Sequence, residues 1–322
     1  MNRPPVLCIG VLVADIFVPP LERLPAAGEL VATDDFLIQP GGCAANVALA
    51  LGTLGTSAAV CGRVGADMLG EFVTQELQAH GIDVTGVLPT PGFGTSKTVI
   101  LPVVDDDRRY LHTFGANAAL RASDIDDAAL DAAEVVYVGG YLMLPALRED
   151  ELAARLIRAR ARGATVILDV ALAAGSALSL ADIGGLLALA DYFVPNIDEA
   201  RTLTGEADPR RQTDCLIQHG AQRVLIKLGD RGTYVRSTER EFEIAAPQVN
   251  TVEPSGAGDA FAAGLIVGIR ERWDLERTVR FANVTGASAC TALGSWGGVF
   301  TREQAEALLA SQPLQMRTAT AA

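Results

Sequence analysis

Lysine is nearly absent from this chain, with Lys97 and Lys227 its only two. Against 39 Asp and Glu there are 26 Lys and Arg, which leaves a net charge of −13. Nucleic-acid surfaces need clustered basic side chains, and no basic stripe occurs, which argues against a nucleic-acid partner. Cysteine is sparse too. Cys8, Cys43, Cys61, Cys215 and Cys290 are odd in number, widely separated and without a C-x-x-C pair, so neither a disulfide framework nor a zinc site is expected. They read as small buried hydrophobes of a reducing compartment. His80, His112 and His219 show no ligand spacing and receive no role. There are no repeats and no low-complexity linker. The first residues, Met-Asn-Arg-Pro-Pro, lack the layout of a signal peptide. One uncharged run, residues 43–62, has the length of a membrane span. It is mostly Ala and Gly, with Asn46, Thr53, Thr56 and Ser57 inside it, and suits a helix followed by a buried strand. The expectation is a soluble, cytoplasmic protein with no membrane partner.

What is present is core-forming. Hydrophobic residues make up 49% and charged ones 20%, which argues against disorder. Near-continuous apolar runs at residues 6–9, 58–61, 135–138, 165–169, 192–194 and 224–228 read as strands buried on both faces. Helical spacing separates them, as in residues 67–79 with Leu69, Phe72, Val73 and Leu77 on one face, and in residues 151–162. This alternation predicts a three-layer α/β core with a mostly parallel sheet. Residues 30–38 and 97–113 read as strands without intervening helices, the second folding around the acidic turn Asp105-Asp106-Asp107. They predict a small β-lid over about residues 15–40 and 95–116, attached to a single domain spanning residues 1–322. The segment from Ser311 has no periodicity and is expected to be loose.

The chemistry concentrates near Glu253-Pro254-Ser255-Gly256-Ala257-Gly258-Asp259-Ala260-Phe261. An apolar stripe of Phe261, Leu265, Ile266 and Ile269 follows, so the glycines sit at a helix N-terminus. Unpaired N–H groups and the helix dipole make an anion hole there, and Gly256 and Gly258 allow close backbone approach. Asp259 in the first turn is placed to accept a proton from an attacking hydroxyl. A plain glycine-rich turn with Asp259 as a helix-start charge fits the spacing equally. The dinucleotide fingerprint fails, because no third glycine follows, and residues 92–98 lack the Gly-Lys of a P-loop.

Gly256-Ala257-Gly258-Asp259 resembles the C-terminal signature of the ribokinase-like (PfkB) carbohydrate kinases. Pro40-Gly41-Gly42-Cys43-Ala44-Ala45-Asn46-Val47-Ala48 resembles their N-terminal signature, in the right order. The resemblance implies an ATP- and Mg²⁺-dependent sugar kinase. It makes Asp259 the catalytic base and gives Gly256, Ala257 and Gly258 the transferring phosphoryl group. It assigns sugar hydroxyls to Asp15, Gly41, Gly42 and Asn46, and a substrate-facing turn to Asn117. Taken alone, Asn46 reads as a solvated helix residue and Asp15 as a strand-end turn residue. Asn196 and Glu199 are similar to the family's N-x-x-E motif, Asn near the nucleotide phosphates and Glu organising Mg²⁺ through water; the spacing is also that of a capping box. Lys227, Gly229 and Gly232 resemble a nucleotide-phosphate loop, and Asn283 a position flanking the adenine. A strand-end lysine and a polar helix spacer are the plain alternatives.

Arg108 and Arg109 read as balancing the neighbouring aspartates. A neutral sugar is therefore the expected substrate. The alternatives are a nucleoside kinase, with Phe17, Phe36 and Phe93 available to hold a base, or a sugar-binding regulator without catalysis. The family usually has Asp where Glu253 stands, and in several members that segment holds a monovalent cation. Glu is one methylene longer, which makes such a cation doubtful here. The helix N-terminus is expected to lower the pKa of Asp259. The exposed edges of the lid suggest a homodimer through it.

Overall fold

A computed structural model of the chain describes residues 4–104, 108–173 and 175–318. In chain order the elements begin β1 (Val6–Gly10), β2 (Val13–Phe17), β3 (Leu37–Gly41), α1 (Cys43–Thr53), β4 (Ala58–Gly65), α2 (Met68–Ala79) and β5 (Asp83–Thr90). Then come β6 (Lys97–Leu101), β7 (Arg109–Thr113), α3 (Asp127–Ala132), β8 (Val135–Gly139), α4 (Glu149–Ala161), β9 (Thr165–Leu168), α5 (Gly184–Leu187) and β10 (Tyr192–Phe193). The rest are α6 (Ile197–Thr204), α7 (Pro209–Gln218), β11 (Arg223–Lys227), β12 (Thr233–Ser237), β13 (Glu241–Ile244), α8 (Ala257–Arg270), α9 (Leu275–Ala289), α10 (Arg302–Ser311) and β14 (Met316–Thr318).

They form two sheets. The larger has the order β14-β13-β12-β11-β10-β9-β8-β1-β4-β5. From β11 to β5 every neighbour is parallel, and β12 to β14 add an antiparallel edge. Alternate residues of β1 serve opposite faces. Val6 and Cys8 pack with apolar residues of α1, α8 and α9, while Leu7 and Ile9 join Leu152 and Leu156 of α4. Helices on both faces bury both, which is why the strands read as continuous apolar runs. This is the three-layer core that the sequence predicts. Helix starts follow local chemistry: Asp67 accepts from Gly70 N at 2.9 Å and Asp274 from Arg277 N at 2.8 Å. Among the described residues no helix is long and apolar enough to cross a membrane. Residues 43–62 are α1 and the start of β4.

The smaller sheet has the order β3-β2-β6-β7, with only β2 and β6 parallel. It is the expected lid, with two differences. Residues 30–36 are not a strand: β3 begins only at Leu37, which pairs with Phe17, the last residue of β2. Asp15 lies in the middle of a strand, not after one. The acidic turn at 105–107 lies outside the described residues. The C-terminal segment also differs from expectation: β14 pairs with β13, and Met316 packs against the core.

Pleating gives the small sheet two unlike faces. Gln39, Asp15, Thr98 and His112 stand in one register row, and Ile38, Ile16, Val99 and Leu111 in the next, on the other side. Ile38 is 46% exposed and Leu111 63%. The row containing Asp15 faces the large sheet.

Where the chain passes from β1 to β2, Asn117 pins it. Its Oδ1 accepts from Leu12 N at 3.0 Å and its Nδ2 donates to Leu12 O at 2.7 Å. Asn117 is 1% exposed, with both ends of its amide used this way. Truncating it strands a buried N–H and a buried C=O. Asn117→Ala should therefore lower the unfolding free energy by about 2–4 kcal/mol, measured by urea denaturation.

Candidate active site

A cleft of about 1430 Å³ lies between the two sheets, along the ends of β9, β10 and β11 and the start of α8. This is where parallel sheets place ligands, because loops and helix N-termini converge there. Val13, Asp15, Thr98, Tyr110 and His112 line it from the small sheet. Asp169, Glu199, Lys227, Gly258 and Asp259 line it from the large one.

α8 begins as the glycine pattern requires. Gly256 is left-handed, φ 76°, and a Cβ there would fall 1.8 Å from Ser295 O. A side chain is thus barred by both conformation and space. Gly258 faces the cleft, and a Cβ on it would sit 3.2 Å from Lys227 Nζ. Ala257 differs from expectation, since its N–H already bonds Pro254 O at 3.3 Å. The N–H groups of Gly258 and Asp259, in the first turn, have no intrahelical acceptor by position.

Asp259 is held from α1. Asn46 Nδ2 donates to Asp259 Oδ2 at 2.8 Å. Asn46 Oδ1 is buried with no partner among the described residues. Loss of hydration pushes Asp259 up to about 6; the Asn46 bond opposes the rise, and Asp169 adds to it. Desolvation outweighs the helix terminus here, opposite to the lowered value expected from sequence.

Asp15 sits on the facing wall. It accepts from Ser295 Oγ at 3.2 Å, and burial pushes it up to about 7 with Asp259 contributing. Gly41 does not line the cleft: a Cβ on it would lie 1.9 Å from Asp15 Oδ2, so its role is to leave room for that carboxylate. Gly42, φ 86°, does line it.

At the other end Lys227, closing β11, meets Asp169 at 3.0 and 3.2 Å, and Tyr137 also bonds Asp169. Burial works to lower the Lys227 ammonium, but Asp169, Glu199 and Asp259 together lift it above its usual range. It stays charged. Asn196 and Glu199 form the capping box of α6: Asn196 Oδ1 accepts from Asp198 N and Glu199 N, and Glu199 Oε2 accepts from Asn196 N. Burial pushes Glu199 up to about 7 against the pull of Lys227. Gly229 and Gly232 line the cleft; a Cβ on Gly232 would meet Ile244 O at 2.0 Å. Asn283 borders it, but its amide is committed to Thr233 and to the carbonyls of Ile244 and Ala245. Asn117 is not at the cleft at all.

Sequence reasoning missed Asp169. The signal was an acidic residue ending an apolar strand run, but its partner is 58 residues away. Arg108, expected to balance the neighbouring aspartates, borders the cleft and pairs with Glu253. His112, given no role, lines the cleft, whereas Phe17 is buried and Phe36 and Phe93 lie exposed away from it.

The profile of the pfkB family carbohydrate kinases matches residues 4–298. The chain is 31% identical over 280 residues to 2-dehydro-3-deoxygluconokinase of Bacillus subtilis, a match covering 84% of this chain and 86% of that protein. It is 31% identical over 267 residues to an ATP-dependent ribose-1-phosphate kinase of Halopiger xanaduensis, covering 83% and 86%. Among solved structures, a protein assigned as ribokinase II from E. coli, in complex with ATP and Mg²⁺, superimposes with a TM-score of 0.82. That match covers 96% of this chain and all of the other at 21% identity, so it speaks for the fold alone. A ribokinase-like fold and a family profile spanning nearly the whole sequence lead to one conclusion: the chain belongs to the pfkB family of carbohydrate kinases, and it is a sugar kinase.

Proposed function

We propose that the whole chain works as one kinase domain, transferring the γ-phosphoryl group of ATP to a hydroxyl of a small sugar with Asp259 as base. The observation that carries this reading is Asn46, which lines the cleft and holds Asp259 there with its amide nitrogen. A hydroxyl bonded to Asp259 would lie at the first turn of α8, beside the anion hole. Asp15, with Gly42 also lining the cleft, would accept from neighbouring hydroxyls and fix which one faces Asp259.

As the acceptor oxygen forms its bond to phosphorus, its proton passes to Asp259 and the P–O bond to ADP breaks. The N–H groups of Gly258 and Asp259 and the ammonium of Lys227 offset charge on the transferring group. Among the described residues no cluster of three or more His, Cys, Asp or Glu could hold a metal alone. Mg²⁺ needs no such cage, since one or two carboxylates with substrate phosphates suffice. Glu199 fits that part, having one carboxylate oxygen left over from the cap. Bound there, Mg²⁺ would neutralise phosphate oxygens. Gly229 would flank the nucleotide phosphates, and Asn283 and Gly232 would shape the wall beside them. The thiols of all five cysteines are free, which fits a cytoplasmic enzyme.

A nucleoside acceptor is the second reading, favoured by Tyr110, His112 and Phe114 along the cleft. An ATP-consumption screen over D-ribose, 2-deoxy-D-ribose, D-fructose, 2-dehydro-3-deoxy-D-gluconate, ribose 1-phosphate and inosine separates the two. Activity toward none of them would reject both.

Asp259→Asn should cut kcat by about 10²–10⁴-fold while acceptor binding persists. The base must be charged to act, so a pKa raised to about 6 puts the loss of activity on the acid side. In wild type kcat/KM should fall as pH drops through about 6–7, with Asp15 and Glu199 sharing that limb. A flat profile from pH 5 to 8, or near-normal turnover by Asp259→Asn, would end the mechanism.

Potassium should change the rate by less than about twofold relative to sodium, because Glu253 is engaged by Ser255 and Arg108. Strong activation by potassium would contradict this.

The outer row of the small sheet, Ile38, Ile16, Val99 and Leu111, suits a second copy of itself across a twofold axis. Light scattering at micromolar concentration should give a dimer, and Leu111→Lys a monomer. A monomeric wild type with full activity would reject the pairing.

A further inference from the structure

Two side chains, Tyr110 of β7 and Arg108 just before it, reach across the cleft to the turn that carries the anion hole. Arg108 Nε lies 3.4 Å from Glu253 Oε1. Arg108 also donates to the Tyr110 hydroxyl and lies over that ring, 5.8 Å from its centre. The Tyr110 hydroxyl is in turn 3.4 Å from Ser255 Oγ, across 145 residues of sequence. On the other side Glu253 Oε1 accepts from Ser255 N at 2.9 Å and Ser255 Oγ at 2.7 Å. One carboxylate oxygen therefore joins the small sheet to the turn leading into Gly256. The Glu253 side chain is only 4% exposed and that of Arg108 27%. A carboxylate so buried needs a counter-charge, and breaking such a pair from one side leaves a charge stranded.

We infer that Arg108 is a positioning residue: its ion pair with Glu253 makes the placement of residues 253–256, and hence of the helix start that forms the anion hole, depend on the small sheet lying closed over the cleft. The inference rests on the kinase reading above. Asp15 lies in the small sheet and Arg108 immediately precedes its strand β7, so an acceptor that holds Asp15 down also brings Arg108 to Glu253. With the sheet raised, Glu253 loses its cation and its grip on Ser255 no longer sets the turn against α8. Preorganised donors stabilise charge only when fixed in advance. Closing on the acceptor is therefore also what readies the phosphoryl end. A transfer enzyme gains from this, since water alone cannot close the sheet.

The test compares wild type, Arg108→Met, Arg108→Lys, Glu253→Gln and the Met/Gln double variant, using the acceptor with the highest kcat/KM in the screen. Arg108 is partly exposed, so its replacement spares the core. Arg108→Met should lower kcat about 10–100-fold with acceptor KM changed less than about threefold, and Arg108→Lys should recover most of the loss. The double variant should be no slower than the slower single one, the signature of a shared interaction. Hydrogen exchange gives a readout independent of turnover. The acceptor should slow amide exchange over residues 252–258 in wild type, and in Arg108→Met slow it over β2 and β6 alone. Wild-type kcat in Arg108→Met, multiplicative losses in the double variant, or acceptor-induced protection of 252–258 surviving in Arg108→Met would each overturn the inference while leaving the kinase reading intact. A wild type inert toward every acceptor would overturn the kinase reading and this inference with it.

Discussion

Lys227 is an ammonium set among carboxylates, and the cleft depends on it. Asp169 touches it, and Glu199 and Asp259 feel its charge. Drawing that many carboxyl groups toward one point out of water raises their pKa values, and Lys227 holds the rise in check for Asp259 and Glu199. A group whose folded pKa is raised costs the fold stability as pH climbs from its unfolded value, about 4, through its folded one. Asp15, Asp259 and Glu199 all carry that cost near neutrality. The proposed mechanism accounts for it. A base poised near pH 6 takes a proton more readily than an exposed aspartate would.

Close backbone approach is the second constraint. The helix start at Gly256 rests against Ser295 O, and further along α8 a Cβ on Gly264 would meet Ala282 Cα of α9 at 2.8 Å. α8 is thereby fixed along its length, and the direction of its first-turn N–H groups with it. The loop after α9 that supplies Ser295 O also supplies Ser295 Oγ to Asp15. One turn of chain thus supports both the start of α8 and the carboxylate of Asp15.

The small sheet turns the period of two into a division of labour. Its inner row places Asp15 and His112 toward the cleft, while the outer row is apolar and meets solvent. A one-residue slip in register would exchange the rows and destroy the site. Pinning the β1–β2 junction through Asn117 is what holds that register to the large sheet.

By itself the sequence determined whatever rests on neighbours along the chain. Apolar runs mark the buried strands, Asp67 and the Asn196–Glu199 box start their helices, and the glycines before Asp259 open α8, because caps and turns are settled within about four residues. The order of the two glycine signatures carried the family. Tertiary structure alone decided what depends on distant partners. It gave Asn117 to Leu12, Gly41 to Asp15, Asn283 to its neighbouring strands and Arg108 to Glu253. It paired β14 with β13 and stopped β3 where β2 ends. It also set the direction of the Asp259 pKa shift. A helix N-terminus is visible in the sequence and argues for a lower value, but desolvation is the joint work of residues from α1, β9, β11 and the small sheet, and no local window contains them.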